Sequence, residues 1–316
     1  MNTPALPNKS DAPSEPTGQV QPKMERALRA VAALRDGRLA DAEKHIAAIE
    51  ESSAIDRAWK RYLEGRLMSA RGGFESAEAP LRQAAALAVE LGLSLPHDAG
   101  ERNGDACEGT LNAGAFRLAA AAYEALGLAL RRQDRPAEAY SAHLIAGRLR
   151  EEHGTFEEQW ESAISLGLSA ELARDAQKSE MWFRKALAIA ERTTEKPAEK
   201  GAIAWTHLSA LLADSARYEE AVAAARAARD LWLKHDSGAL EAVRADVHLA
   251  HTLIRLCEAL VGTGASQAGD AARKAISLLE PAGEALSAFG PRAADDSARC
   301  NELVDFAHRL LATCQG

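Results

Sequence analysis

Long apolar runs are missing from this 316-residue sequence. Nothing approaches the ~18 uninterrupted apolar residues that a membrane-crossing helix needs, so none is expected. Residues 1–22 (MNTPALPNKSDAPSEPTGQVQP) are equally poor in apolar residues, so no secretory signal is expected there, and their prolines and small polar residues predict disorder. Cysteine is scarce: Cys107, Cys257, Cys300 and Cys314 stand far apart and form no C-x-x-C pair. They are expected as buried, reduced thiols of a cytoplasmic protein rather than as a disulfide framework. Aromatics reach only 5% and β-branched residues are sparse, which leaves little material for strands. An excess of positive charge is also lacking: 38 Lys and Arg against 46 Asp and Glu give a net charge of −8, which speaks against a nucleic-acid surface while leaving room for a local basic patch. Finally, there is no G-x-S-x-G, phosphate loop, dinucleotide glycine pattern or H-E-x-x-H. No catalytic residue, cofactor or resident metal is assigned, and a non-enzymatic role is expected.

What the sequence does have is repetition. Ala42, Ala77, Ala139, Ser179 and Ala221 each follow a turn and open an apolar helical stripe, in GRLADAEKHIAAI, GGFESAEAPLRQAAAL, DRPAEAYSAHLIAG, AQKSEMWFRKALAIA and ARYEEAVAAARAARDL. The anchors are separated by 35, 62, 40 and 42 residues, the 62 containing an insertion. A period of this size predicts helix pairs stacked on one another rather than wrapped around a single core. Glu43, Glu78, Glu138, Glu180 and Glu220 recur beside the anchors and read as exposed-face residues.

The periodicity predicts helices at about 23–36, 39–52, 55–71 and 74–92, with Gly37 and Gly72-Gly73 as breakers. Residues 93–114 (LSLPHDAGERNGDACEGTLNAG) interrupt the array as a loop, either a solvated connector or a partner-contacting segment. A calcium-loop reading fails: counted from Asp98, Arg102 falls at position 5 and Asn103 where glycine is required. Further pairs follow at about 108–132 with 136–153, 155–175 with 178–193, 197–215 with 218–234, and a degenerate pair at 239–263 with 266–289. A last helix, about 293–314, carries the apolar stripe Leu303, Phe306, Leu310 and Leu311 and is read as a terminal cap. The domain reading is therefore 1–22 disordered, 23–290 repeat array and 291–316 capping helix.

In these residues the chain resembles the tetratricopeptide repeat (TPR) family. Tyr123, Leu126 and Gly127 with Ala139 match its pattern, as do Leu166 and Gly167 with Phe183 and Ala186. Trp205 and Leu208 match with Ser209 in place of glycine, followed by Tyr218, Ala221 and Ala228; Trp59, Tyr62 and Gly65 with Phe74, Ala77 and Leu81 form an earlier copy. The first pair lacks the aromatic-Leu-Gly set, the sixth lacks a clean second-helix anchor, and spacings of 40–42 rather than 34 imply longer helices, as in regulatory arrays of the family. The resemblance implies an all-α, right-handed solenoid of about six antiparallel helix pairs whose concave face, lined by the first helix of each pair, receives a protein or peptide. Carried onto this sequence, the inner positions are Tyr62, Arg66, Glu124, Leu128, Arg131, Arg132, Ile164, Leu168, Glu171, Thr206, Ala210, Asp214, Val247, His251 and Arg255, giving an apolar centre with basic residues at both ends. The lysine–asparagine clamp of chaperone-binding members is absent, since Ala27, Val31 and Leu63 occupy those positions.

An adaptor binding a peptide or partner helix is thus the expected function, with possible homo-oligomer formation and no nucleic-acid or membrane partner. The alternatives are a ligand- or peptide-responsive regulator, or a structural subunit of a secretion or envelope assembly. Two groups have competing readings. Arg131 and Arg132 could pair with acidic flanks of a partner helix or simply be solvated at a helix end, where they favour its dipole. His248 and His251 lie three apart on one helix face with Arg255 beyond; they read mainly as packed or groove-contacting, and a metal would require further ligands such as His207 or Cys257. Trp59, Trp160, Trp182, Trp205 and Trp232 read mainly as core.

Overall fold

The computed structural model describes residues 22–94, 107–236 and 239–315. Residues 1–21 of the segment expected to be disordered (1–22) and most of the predicted loop (95–106) lie outside them, while Pro22 opens the first helix. The described residues form α1 (Pro22–Arg35) and α2 (Leu39–Ala47), α3 (Ala54–Ala70) and α4 (Phe74–Ser94), α5 (Cys107–Arg132) and α6 (Pro136–His153), α7 (Phe156–Leu172) and α8 (Ala176–Ala190), α9 (Pro197–Asp214) and α10 (Tyr218–Asp236), α11 (Leu240–Leu260) and α12 (Ala265–Ala288), and α13 (Ala294–Gln315) after a 3-10 turn at Gly290–Ala293. Leu93 and Ser94 complete α4, and residues 107–114, where the expected loop and the expected 108–132 helix overlap, belong to α5. Nothing in 107–114 breaks a helix strongly enough to outweigh the packing of Ala115, Phe116, Leu118 and Ala119, all buried.

The turns inside the first five pairs share one geometry. Gly37, Gly72, Asp134, Arg174 and Ala216 all adopt positive φ, between 58° and 82°. The amide that follows each of them, in Arg38, Gly73, Arg135, Asp175 and Arg217, donates to the carbonyl five residues earlier at 2.8–3.1 Å. This is the Schellman closure, which satisfies carbonyls left over at a helix end and reverses the chain in three residues. Only two of these five positions are glycine, so in three repeats the turn forms against backbone strain.

Packing within a pair depends on the glycine and anchor positions. A Cβ built on Gly65 would lie 2.5 Å from Leu81, on Gly127 2.6 Å from His143, and on Gly167 2.4 Å from Phe183. The anchors Ala42, Ala77, Ala139, Ser179 and Ala221 are all 0% exposed. Where serine takes a small position it keeps its hydrogen bond: the Ser179 hydroxyl donates to the Gly167 carbonyl at 3.0 Å, and that of Ser209 to Ala221 at 2.9 Å.

Between pairs, the odd-numbered helices form a continuous wall, each packing on the next from α1 through α13, whereas no two even-numbered helices pack comparably. The odd helices therefore line the inside of a curved all-α solenoid. The recurrent glutamates are not merely solvated: Arg71 reaches back to Glu43 at 2.6 Å, Arg135 to Glu78 at 2.8 Å, and Arg217 to Glu180 at 2.5 Å, joining each turn to the preceding pair. At the end, α13 packs along α12 and touches α11. It buries Cys300 and Ala307, with Leu303, Phe306, Leu310 and Leu311 partly buried over Leu279, Ala282 and Leu286. Asn112–Arg132 in α5 is apolar and long enough to cross a membrane by length and composition; here its Phe116, Leu118, Leu126 and Leu130 are buried in the array.

Candidate functional site

Elements α3, α5 and α7 meet on the inner wall. A cavity of about 500 Å³ opens there, and five of the sequence-predicted groove residues, Tyr62, Arg66, Glu124, Leu128 and Arg131, line it together. Each arrives for a local reason. Tyr62 is 7% exposed, its ring set edge-on to Trp59 at 5.8 Å, and its hydroxyl accepts from Arg66 Nη1 at 2.7 Å. Leu128, one residue past Gly127, is left 43% exposed on the inner wall. Arg131, one turn beyond Gly127, projects over the cavity at half burial. Burial and the adjacent Arg132 pull its pKa down, with Glu124 acting the other way.

Charges around the cavity are unequally satisfied. Glu124 is held by the Ser165 hydroxyl, by Arg150 Nη1 at 3.5 Å and by His143 Nδ1 at 3.4 Å. Burial alone would raise its carboxyl, but His143, Arg150 and Ser165 together hold it below the ordinary value. Arg150, 7% exposed, also donates to Ser162 Oγ at 2.8 Å and the Glu158 carbonyl at 3.3 Å, so one carboxylate–guanidinium cluster ties α5, α6 and α7. Among the ion pairs of the described residues, neither Arg66 nor Arg131 has a carboxylate partner. The cavity thus combines an apolar patch (Ala121, Ala125, Leu128) with two guanidinium groups, Arg66 and Arg131, that form no ion pair with a carboxylate among the described residues.

His143, Arg150, Glu161, Ser165 and Ser69 also line the cavity and were not among the sequence-predicted groove residues. His143 and Arg150 belong to α6, a second helix, which the family pattern places outside. A signal was nonetheless present. Four residues past the anchors the sequence reads Leu81, His143, Phe183 and Ala225, a column that packs against the glycine position and contains a single polar residue. His143 is 1% exposed and neither ring nitrogen makes a well-aligned hydrogen bond.

The remaining predicted residues are more scattered. Arg132 is exposed in the last turn of α5 and does not line the cavity. Leu168 is half-buried against Phe183, Leu208 and Trp205. Glu171 is half-buried, with its carboxyl raised by burial and by Asp214. Asp214 and Arg255 are bonded to each other across α9 and α11, with the Arg255 guanidinium 5.8 Å from the Tyr218 ring. Arg255 is therefore not a free cation, and the basic end expected there is neutralised. Thr206 turns its hydroxyl onto the Ala202 carbonyl of its own helix and borders a cavity of about 190 Å³ with Ile203, His207, Trp232 and His248. His251 borders an adjoining cavity of about 180 Å³ with Arg244, His248, Asp296 and Arg299, so the cap contributes to the inner wall. His207 stacks on Phe183 at 5.3 Å, and burial together with Arg131 lowers its pKa. The metal reading of the histidines finds no geometry: among the described residues no three His, Cys, Asp or Glu side chains are grouped to hold an ion.

No family model matches the chain, and no curated protein matches it by sequence. Solved structures match in fold. RapI in its apo form is 12% identical with a TM-score of 0.56, over 93% of this chain and 98% of that one. The signal transduction ATPase with numerous domains from Pyrococcus horikoshii, which carries a tetratricopeptide repeat sensor, is 14% identical with a TM-score of 0.60, over 92% of this chain and 42% of that one. Aspartyl phosphate phosphatase F from Bacillus subtilis is 10% identical with a TM-score of 0.54, over 91% of this chain and 70% of that one. The fold is a TPR-like repeat solenoid.

Proposed function

We propose that the chain is a protein-interaction module that takes an extended peptide or a partner helix on the inner wall of its solenoid, acting by stoichiometric binding in the cytoplasm without covalent chemistry. The observation that carries this reading is the cavity between α3, α5 and α7, where exposed Leu128 shares the lining with Arg66 and Arg131, neither of which has an ion-pair partner among the described residues. Solvent-exposed leucine beside unpaired, partly desolvated arginine fits a partner segment that presents apolar side chains flanked by carboxylates. The free thiols of Cys257 and Cys300 suit a reducing compartment. One neighbour in fold supports a binding or regulatory use of such an array: its name describes a tetratricopeptide repeat sensor within a signal transduction ATPase.

A photo-crosslinking residue placed at Leu128, and separately at Ile145 on α6, tests the reading in lysate of the source organism. A partner cross-linked from Leu128 but not from Ile145, and lost in Arg66→Glu/Arg131→Glu, is the expected result. Cross-linking only from Ile145, or capture unaffected by the double substitution, moves the interface off the inner wall. In the regulator form of the reading, adding the captured partner compacts the array in small-angle scattering. In the structural-subunit form, capture is replaced by self-association.

A further inference from the structure

The two cavities of about 190 and 180 Å³ at the C-terminal end of the inner wall share Arg244 and His248 in their lining. Ile203, Trp232 and Ala245 give the first an apolar side. It is large enough for a ring, since a dry cavity of about 150 Å³ holds benzene. His251, Asp296 and Arg299 line the second. Charge in that second cavity is unequally satisfied. Arg244 is engaged: Asp296 accepts from its Nε at 3.0 Å and its Nη2 at 2.8 Å, and Glu241 from its Nη1 at 3.4 Å. Arg299, exposed on α13, forms no ion pair with a carboxylate among the described residues. His248 Nε2 is buried and has no hydrogen-bond partner. Buried polar atoms are nearly always paired, so an orphan nitrogen on a residue that walls two cavities calls for an acceptor or donor from outside. Burial first, then neighbouring cations, lowers the pKa of His207 and His251, and burial with His251 and Arg299 does so for His248, so the three imidazoles are neutral at pH 7. One unpaired cation therefore remains, beside neutral imidazoles and an apolar chamber.

We propose that these two cavities together bind a small monocarboxylic acid with an aromatic or aliphatic body, its carboxylate at Arg299 and His248 and its body against Ile203 and Trp232. The guanidinium of Arg299 donates to the carboxylate, and the neutral imidazole of His248 can present an N–H at Nε2 to the same group. The single unpaired cation selects the charge of the ligand. A carboxylate brings one negative charge to one free guanidinium, whereas a phosphate would bring a second toward the carboxylates of Asp296 and Glu241. Because Ile203 belongs to α9, His248 to α11 and Arg299 to α13, an occupied site would tie the capping helix to the inner wall.

The proposal does not rest on peptide binding between α3, α5 and α7, and it is tested on the full chain with four acids: benzoate, cinnamate, indoleacetate and hexanoate. Each is compared with its neutral alcohol. The nine histidines, isotope-labelled at Cε1, report binding by NMR, with His248→Gln and His251→Gln identifying their signals. At least one acid is expected to shift both signals saturably, with a Kd of about 1 mM or tighter and about tenfold below that of its alcohol. Arg299→Gln, at an exposed position that folding tolerates, should remove that tenfold advantage and leave the alcohol unaffected. Arg66→Glu/Arg131→Glu, which tests the other cavity, should leave acid binding unchanged. The assignment is overturned if none of the four acids shifts these signals, if acid and alcohol bind equally, or if Arg299→Gln binds the acid as wild type does.

Discussion

At the scale of single residues, the repeat is held by positions where size or backbone hand leaves little choice. Ala216 sits at φ +58° in the turn before α10, where two of its counterparts are glycine. An L side chain pays strain there that glycine avoids, partly offset by the greater freedom glycine has when unfolded. Ala216→Gly is therefore expected to raise stability by about 0.5–1 kcal/mol, read as a higher urea midpoint at unchanged slope. The opposite change at a close approach should be costly. Gly167→Ala would put a methyl 2.4 Å from the ring of Phe183, itself fully buried, and about 2–3 kcal/mol of destabilisation is expected. The same substitution at Gly114, where nothing lies within 4 Å of the added carbon, serves as the control and should not destabilise. His248 carries a different kind of constraint. Burial, then His251, Arg299 and His207, lower its pKa from 6.5 to about 4. Between those values the unfolded chain binds a proton that the folded chain refuses. Stability should thus be insensitive to this group above about pH 6.5 and should fall as the pH drops from there toward 4. His207 and His251 are lowered as well and act with the same sign. Urea midpoints at pH 7.5 and 5 measure the drop, and His248→Gln should make it smaller; an equal drop in the variant would assign the effect elsewhere.

At the scale of helices, the order of elements was legible in the sequence because the signals are local. The Gly37 and Gly72-Gly73 turns, Pro136 in the first turn of α6, and the anchors from Ala42 to Ala221 all reflect contacts within one pair. The candidate site was legible only in part. Tyr62, Arg66, Leu128 and Arg131 follow from the phase of their own helices, whereas the pairing of Asp214 with Arg255 depends on how α9 and α11 sit side by side, which no single-helix pattern records. The same holds for Arg150, a second-helix residue drawn inward by Glu124 and Ser162. Its guanidinium ties α5 to α6 and α7, so Arg150→Met leaves Glu124 half-buried with less compensation. We expect roughly 2–4 kcal/mol of destabilisation by denaturant unfolding, and Glu124→Gln in the same background should recover part of it.

At the scale of the whole chain, stability in a stacked array is a sum of neighbouring interfaces, so its ends need covering. The cap α13 covers Leu279, Ala282 and Leu286 at the last interface. Removing residues 294–315 is expected to lower the urea midpoint and to produce concentration-dependent self-association in light scattering, as the uncovered apolar face seeks a substitute. A truncated chain that stays monomeric with an unchanged midpoint would mean that α13 is an appendage.

The unequal packing of the two rows of helices has a mechanical consequence. Inner helices meet one another along the wall, while each outer helix packs only on inner helices, and ion pairs at three of the turns link a pair to the preceding one. Bending the array therefore works mainly against the contacts of each outer helix on the inner helix that follows it, since no outer helix braces another. The soft direction of this molecule is that of a leaf spring, and its restoring force is partly ionic, so salt should slacken it and dilute buffer should stiffen it.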